Sequence, residues 1–113
     1  MTTPTIGQTL PRAGEAYAAP EKLAWILAEC GHGREWARVF CIGGDDAERL
    51  WEAIVHAILE APIFKVIDRG NDGLVCGVEM ELVIGNRAAK TITAWHYESA
   101  DDAPRLVTAY PRP

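Results

Sequence analysis

Residues 63–84 read IFKVIDRGNDGLVCGVEMELVI, and this stretch decides the fold. Ile63–Asp68 is rich in branched apolar residues, which suit a pleated, half-buried surface. Gly70-Asn71-Asp72-Gly73 is turn chemistry. From Leu74 to Ile84 the pattern has a period of two: Val78, Met80, Leu82 and Ile84 fall on one side, Glu79 and Glu81 on the other. Gly85-Asn86 then gives a hairpin signal. Two strands joined by a short turn, followed by another tight turn, predict an antiparallel meander. Downstream, Lys90–Glu98 reads as a third strand, Ser99–Ala103 as a polar connection and Arg105–Tyr110 as a fourth strand, with prolines at 111 and 113.

Upstream of Pro62 the period changes. Ala19-Pro20-Glu21 is a helix start, with proline at the first helical position and an acid in the first turn. Leu23, Ile26, Leu27 and Cys30 follow on one face at helical spacing, and Gly31 and Gly33 are read as its stop. A second helix is expected over Glu35–Cys41, with Trp36, Val39 and Phe40 inward. Gly43-Gly44-Asp45-Asp46 breaks the chain and supplies a cap with acids that suit a helix N-terminus. A third helix is expected from Asp46 to Glu60. Ala47, Leu50, Trp51, Ile54, Val55 and Ile58 form its apolar stripe, and Glu52, His56 and Glu60 its solvated side.

Helices first and a strand meander second predict an α+β class, with N-terminal helices packed on one face of a C-terminal four-stranded antiparallel sheet. The expected organisation is an extended lead-in over residues 1–18 and a single α+β domain over 19–113. Within it, the helices occupy 19–61 and the meander 63–110.

A chain of 113 residues fits one domain and can bury a core without staples. Its composition, 49% hydrophobic and 24% charged, is that of a globular protein and excludes extensive disorder. Charge interrupts every apolar run well short of a membrane span. MTTPTIGQTLPRAG lacks a basic and then apolar leader pattern, so the expected location is cytoplasmic. The net charge of −5 argues against a protein that coats duplex DNA. Three cysteines, Cys30, Cys41 and Cys76, with no CxxC pair, point to free buried thiols rather than a disulfide set. The Cys30/His32 spacing has no second ligand pair beside it, so no metal and no cofactor is expected.

Several strings stand together. Leu10-Pro11-Arg12-Ala13 precedes the first helix, and His32-Gly33-Arg34-Glu35-Trp36-Ala37-Arg38-Val39-Phe40 lies in the middle. Thr93-Ala94-Trp95 sits in a strand, and Pro104-Arg105-Leu106-Val107-Thr108-Ala109-Tyr110-Pro111 closes the pattern. Across residues 10–112 these resemble a family of small bacterial domains of unknown function. Its members read L-P-N-A, H-P-x-G-R-x-K-A-x-F-F, T-V-W-I-I and P-R-L-V-T-A-Y-P. This chain departs from that pattern with a shorter His-to-Gly-Arg spacing, with Arg38 and Val39 for Lys and Phe, and with His96-Tyr97 for an apolar pair. The family is similar to the barnase/RelE/EndoU-like group of RNases. Its members stand alone or end larger toxin-like proteins, and stand-alone members are often encoded beside a small partner.

What the resemblance implies is a metal-free RNase-type toxin of a toxin–antitoxin or polymorphic toxin system. Such chemistry needs a base, an acid and cationic or donor groups for the phosphate. Histidine works near neutral pH, and arginine grips phosphate in a fork. The catalytic residues expected are His32, Arg34, Thr108 and Tyr110, with Arg105 and Trp95 binding substrate. Trp95 is expected as a base platform or the anchor of a partner interface. Strand period places Leu106, Thr108 and Tyr110 on one face and Arg105, Val107 and Ala109 on the other. His96 is read as a half-buried, hydrogen-bonded strand residue and His56 as part of a solvated face. Glu79 and Glu81 are read as a polar sheet face, with a general base as the other option.

The partners expected are a cognate small antitoxin-type protein and, for an active site, RNA. No membrane is expected, and a homodimer is compatible with the sequence. Two other functions fit: a non-catalytic interaction domain on the same fold, and an acidic antitoxin or immunity-type protein matched to a basic toxin.

Overall fold

The computed structural model describes residues 3–28, 31–99 and 101–112. Three α-helices precede a four-stranded sheet: α1 (Pro20–Leu27), α2 (Gly33–Phe40), α3 (Ala47–Ala57), β1 (Ile63–Asp68), β2 (Leu74–Ile84), β3 (Arg87–Tyr97) and β4 (Arg105–Pro111). The sheet order is β1-β2-β3-β4 with every pair antiparallel. The α+β class and its helix-then-meander order are as the sequence reading has them.

The helices end earlier than periodicity alone suggests. α1 opens on Pro20 behind an extended Ala19 and stops at Leu27, because Ala28 leaves helical geometry (φ −80°, ψ 159°). Cys30 lies outside the described residues. Gly33 is not a stop; it is the first residue of α2. α3 begins after a turn in which the Gly43 amide donates to the Asp46 carboxylate at 2.9 Å. That hydrogen bond, with the neighbouring Arg49, holds the Asp46 carboxyl below its usual range.

One face of the sheet carries the core. Met80, Leu82 and Ile84 of β2, Trp95 and Tyr97 of β3, and Leu106 and Ala109 of β4 are buried against Trp36 and Phe40 of α2, and Leu50 and Ile54 of α3. Full burial of Leu50, Ile54 or Ile58 contributes about 1.5–3 kcal/mol each before entropy is counted. Buried polar groups are paired: the Trp95 indole donates to Thr93 Oγ1 at 2.8 Å, and Thr93 donates to the Val78 carbonyl at 3.1 Å. The Tyr97 hydroxyl donates to the Pro11 carbonyl at 2.6 Å, and burial pushes its pKa up. Cys76 is buried and burial raises its thiol to about 11, whereas Cys41 is exposed, against the reading of buried thiols throughout.

Two bulges set which side chains face out. In β1 the register slips between Ile63 and Lys65, and the Phe64 ring covers Gly77, where a Cβ would meet it at 3.0 Å. In β4 the register slips opposite Ala94 and Trp95: Trp95 pairs with Leu106, but Ala94 pairs with Thr108. Val107 is the extra residue. Leu106 and Ala109 are both buried, so strict alternation over Leu106, Thr108 and Tyr110 fails at this point. Arg105 therefore shares the open face with Thr108 and Tyr110.

The edges are covered in part. Beside β4, the Tyr17 amide donates to the Pro104 carbonyl and the Leu106 amide to the Tyr17 carbonyl, so the N-terminal segment is bridged to the sheet. This segment, read as an extended lead-in, contains a 3-10 turn at Ala13–Glu15 and buries Leu10. Further along β4, the Trp36 indole donates to the Ala109 carbonyl at 3.3 Å. Beside β1, Ile63 exchanges hydrogen bonds with Gly7 and Gln8.

Candidate functional site at the β4 rim

The α1–α2 connection meets β4 at its outer rim, and sequence chemistry fixes how. His32 stands between two glycines that pack on the end of α1. A Cβ at Gly33 would lie 2.5 Å from the Leu27 carbonyl oxygen and 2.7 Å from that of Ala28, and one at Gly31 would collide with the Trp25 carbonyl. The His32 amide donates to the Ile26 carbonyl at 3.0 Å and the Gly33 amide to that of Ala28 at 2.9 Å. Only glycine on both sides allows this approach, and it projects the imidazole toward β4.

There His32 meets Tyr110. The ring centroids are 4.9 Å apart at 36°, and the Trp25 and His32 rings stand nearly perpendicular at 6.5 Å. His32 Nδ1 is 4.0 Å from Glu35 Oε1. The structure thus brings together His32 and Tyr110, residues from opposite ends of the chain. Thr108, which pairs with Ala94, is two residues before Tyr110 on the same face. Arg34 is exposed at the start of α2 and makes no hydrogen bond or ion pair among the described residues.

Arg105 lies at the other end of β4, paired with His96. The His96 Nε2–H donates to the Asp72 carbonyl at 2.7 Å, which leaves Nδ1 as the acceptor for Arg105 Nη2 at 3.4 Å. His96 is half-buried and hydrogen-bonded, but it stands with Ile92 and Ala94 on the face away from the helices. Beside it, Arg12, Tyr17, Glu98 and Asp102 line a cleft of about 370 Å³. Arg12 is engaged with Glu15 at 2.6 Å and with the Asp101 carbonyl, and the Glu15 hydrogen bond raises its pKa while lowering that of Glu15.

Trp95 requires a correction. It is fully buried, its indole N–H is bonded to Thr93, and Trp51 packs on it at 6.2 Å. No face of the ring is open to a base or a partner, because β3 turns Thr91, Thr93, Trp95 and Tyr97 all toward the helices. The exposed indole is that of Trp25, 44% accessible. Glu79 and Glu81 do share the open face, and Arg112 donates to Glu79 at 2.8 Å. Among the described residues no three His, Cys, Asp or Glu side chains converge as metal ligands, and no helix is long and apolar enough to cross a membrane.

The Arg105–His96 pairing escaped the sequence reading because it depends on the Val107 bulge, for which one strand's residues carry no signal. The His32–Tyr110 contact had a partial signal in the Gly-His-Gly string.

Comparison with known proteins adds a family and nothing narrower. No curated protein and no solved structure matches the chain. One family model covers residues 9–113, which takes in the helices, the sheet and the segment that bridges to β4. On that match, the chain belongs to the family described as a domain of unknown function, DUF6883.

Proposed function

We propose that this domain cleaves RNA without a metal, as a toxin-type endoribonuclease, at the β4 rim. The observation that carries the reading is the His32 imidazole set 4.9 Å from the Tyr110 ring, on the open face that also bears Thr108 and Arg105. In the reaction the 2′-oxygen bonds to phosphorus and the P–O5′ bond breaks. Neutral His32 takes the 2′-hydroxyl proton, the Tyr110 hydroxyl gives a proton to the leaving 5′-oxygen, and the imidazolium restores it. Thr108 donates to the phosphate oxygens, and Arg105, at the other end of β4, meets a phosphate further along the RNA. Arg34, free at the start of α2, contacts a flanking phosphate. A small cognate partner covers the rim and silences it, and the site of action is cytoplasmic.

A second reading is a protein-binding domain without catalysis. It is favoured by the engagement of Arg105 with His96 and of Arg112 with Glu79, which ties up two cations of the open face in a chain of net charge −5.

The test is induction in a bacterial host beside His32→Ala and Tyr110→Phe, with total RNA resolved on gels and folding checked by circular dichroism. Discrete RNA cuts are expected from the parent, reduced about 100-fold or more in His32→Ala. Intact RNA from a soluble, folded parent protein overturns the nuclease reading and leaves the binding domain.

A further inference from the structure

One uncovered stretch of sheet edge lies on β2, two strands from β4. β1 pairs with β2 only from Val78 back to Leu74, so β2 from Glu79 to Ile84 has no neighbour on that side. Alternation decides which groups point out. Ile63 bonds outward to Gly7 and Gln8, so its partner Val78 directs its main chain toward β3. Glu79, Glu81 and Val83 therefore present their N–H and C=O groups to the open edge. Among the described residues none of these groups makes a backbone hydrogen bond outside the ladder to β3.

This edge forms one wall of a groove of about 830 Å³ whose other wall is α3 and the turn after it. Two apolar side chains stand exposed along it, Val83 at 58% and Leu59 at 51%. Three carboxylates on the groove, Glu52, Glu60 and Glu81, make no ion pair among the described residues, although Lys90 stands across from Glu81 in β3. The one arginine there, Arg49, is held by Asp46 at 3.2 Å.

We propose that this edge takes an extended, cationic segment of another protein as a fifth strand beside β2. Main-chain bonds to Glu79, Glu81 and Val83 supply the pairing. Successive side chains of the added strand point to opposite faces: on the helix side lysine or arginine meets Glu52 and Glu60 and an apolar residue covers Leu59, and on the other side lysine or arginine meets Glu81 and an apolar residue covers Val83. A second copy of this chain fits poorly. Antiparallel pairing of two such edges about Glu81 sets carboxylate against carboxylate, and like charges directly opposite are destabilising. The groove uses no residue of the β4 rim, so the proposal stands apart from RNA cleavage.

The probe is the capped hexapeptide Lys-Lys-Val-Val-Lys-Lys, which carries lysines on both faces of a strand, added to the whole protein labelled with nitrogen-15. In the free protein the amides of Glu79, Glu81 and Val83 exchange quickly, and those of Met80 and Leu82 slowly. At a tenfold excess over the dissociation constant, exchange at the three outward amides slows about tenfold. A glutamate–valine hexapeptide has no effect, nor does the lysine–valine peptide methylated on every backbone nitrogen. Glu81→Lys, on an exposed side chain, weakens binding about five- to tenfold. The proposal is overturned if the three amides are already protected in dilute protein. It is equally overturned if protection appears only as the protein dimerises, or if the peptide leaves these amides unchanged.

Discussion

Substituting Gly33 by alanine tests how the His32 loop is built. The new methyl would stand 2.5 and 2.7 Å from the Leu27 and Ala28 carbonyl oxygens. A comfortable carbon–oxygen separation is about 3.3 Å, so α2 has to move by roughly 0.6–0.8 Å. Both obstacles are backbone, and neither can swing aside. Overpacking of this kind costs about 1–3 kcal/mol, and immovable obstacles place it near the top of that range. Alanine recovers up to about 1 kcal/mol of helix propensity, which leaves a net loss of about 2 kcal/mol. With a urea slope of about 1.5 kcal/mol/M, the unfolding midpoint falls by about 1.3 M. The control is Gly14→Ala, where nothing lies within 4 Å of the added Cβ; its effect stays within about 0.5 kcal/mol. The displacement also carries His32 off Tyr110, which the ring-current shift of the imidazole protons reports. Equal midpoints for Gly33→Ala and Gly14→Ala would refute the close-approach argument.

Two other outcomes follow from the core. Thr93→Val removes the acceptor of the buried Trp95 indole and leaves that N–H without a partner, so stability falls by about 1–3 kcal/mol, read from denaturant melts. For Cys76, burial raises the folded thiol to about 11, whereas the unfolded thiol ionises near about 8.5. The unfolded chain therefore releases its proton first, and stability declines as pH rises from about 8.5 toward 11. Cys76→Ala removes the thiol's share of that slope and leaves the share that the buried Tyr97 hydroxyl adds above about pH 10, and in the parent protein maleimide labels Cys41 at pH 8 but reaches Cys76 only with denaturant.

Local chemistry carried most of the fold. β1 and β2 begin and end at the residues where their turn glycines and alternation place them. Proline at the head of α1 marked its start. What local chemistry lacks is knowledge of neighbours. The Val107 bulge answers a pairing with β3, so it appears only once Trp95 and Leu106 are side by side. Trp95 reads equally well as an exposed platform or a core ring until the helices choose a face. Gly33 reads as a breaker because its conformational freedom is visible in a sequence, while its need to touch the Leu27 carbonyl is not. His32 and Tyr110 were both legible as chemistry-bearing residues, but their contact required the edge position of β4.

The meander has a consequence for when the rim exists. Each strand pairs with its neighbour along the chain, so the sheet grows by short, early-closing contacts. The joins from the helical half to β4 are of another kind: Trp36 and Ala109 are 73 residues apart. Long closures come late, because their entropy is spent before their contacts form. His32 and Tyr110 meet across that same late join. A chain still being synthesised has hairpins but no such meeting until β4 has emerged, since β4 is the last of these elements to be made. Whatever the rim does therefore waits until β4 has been made, and peeling β4 away silences it while β1–β3 remain paired.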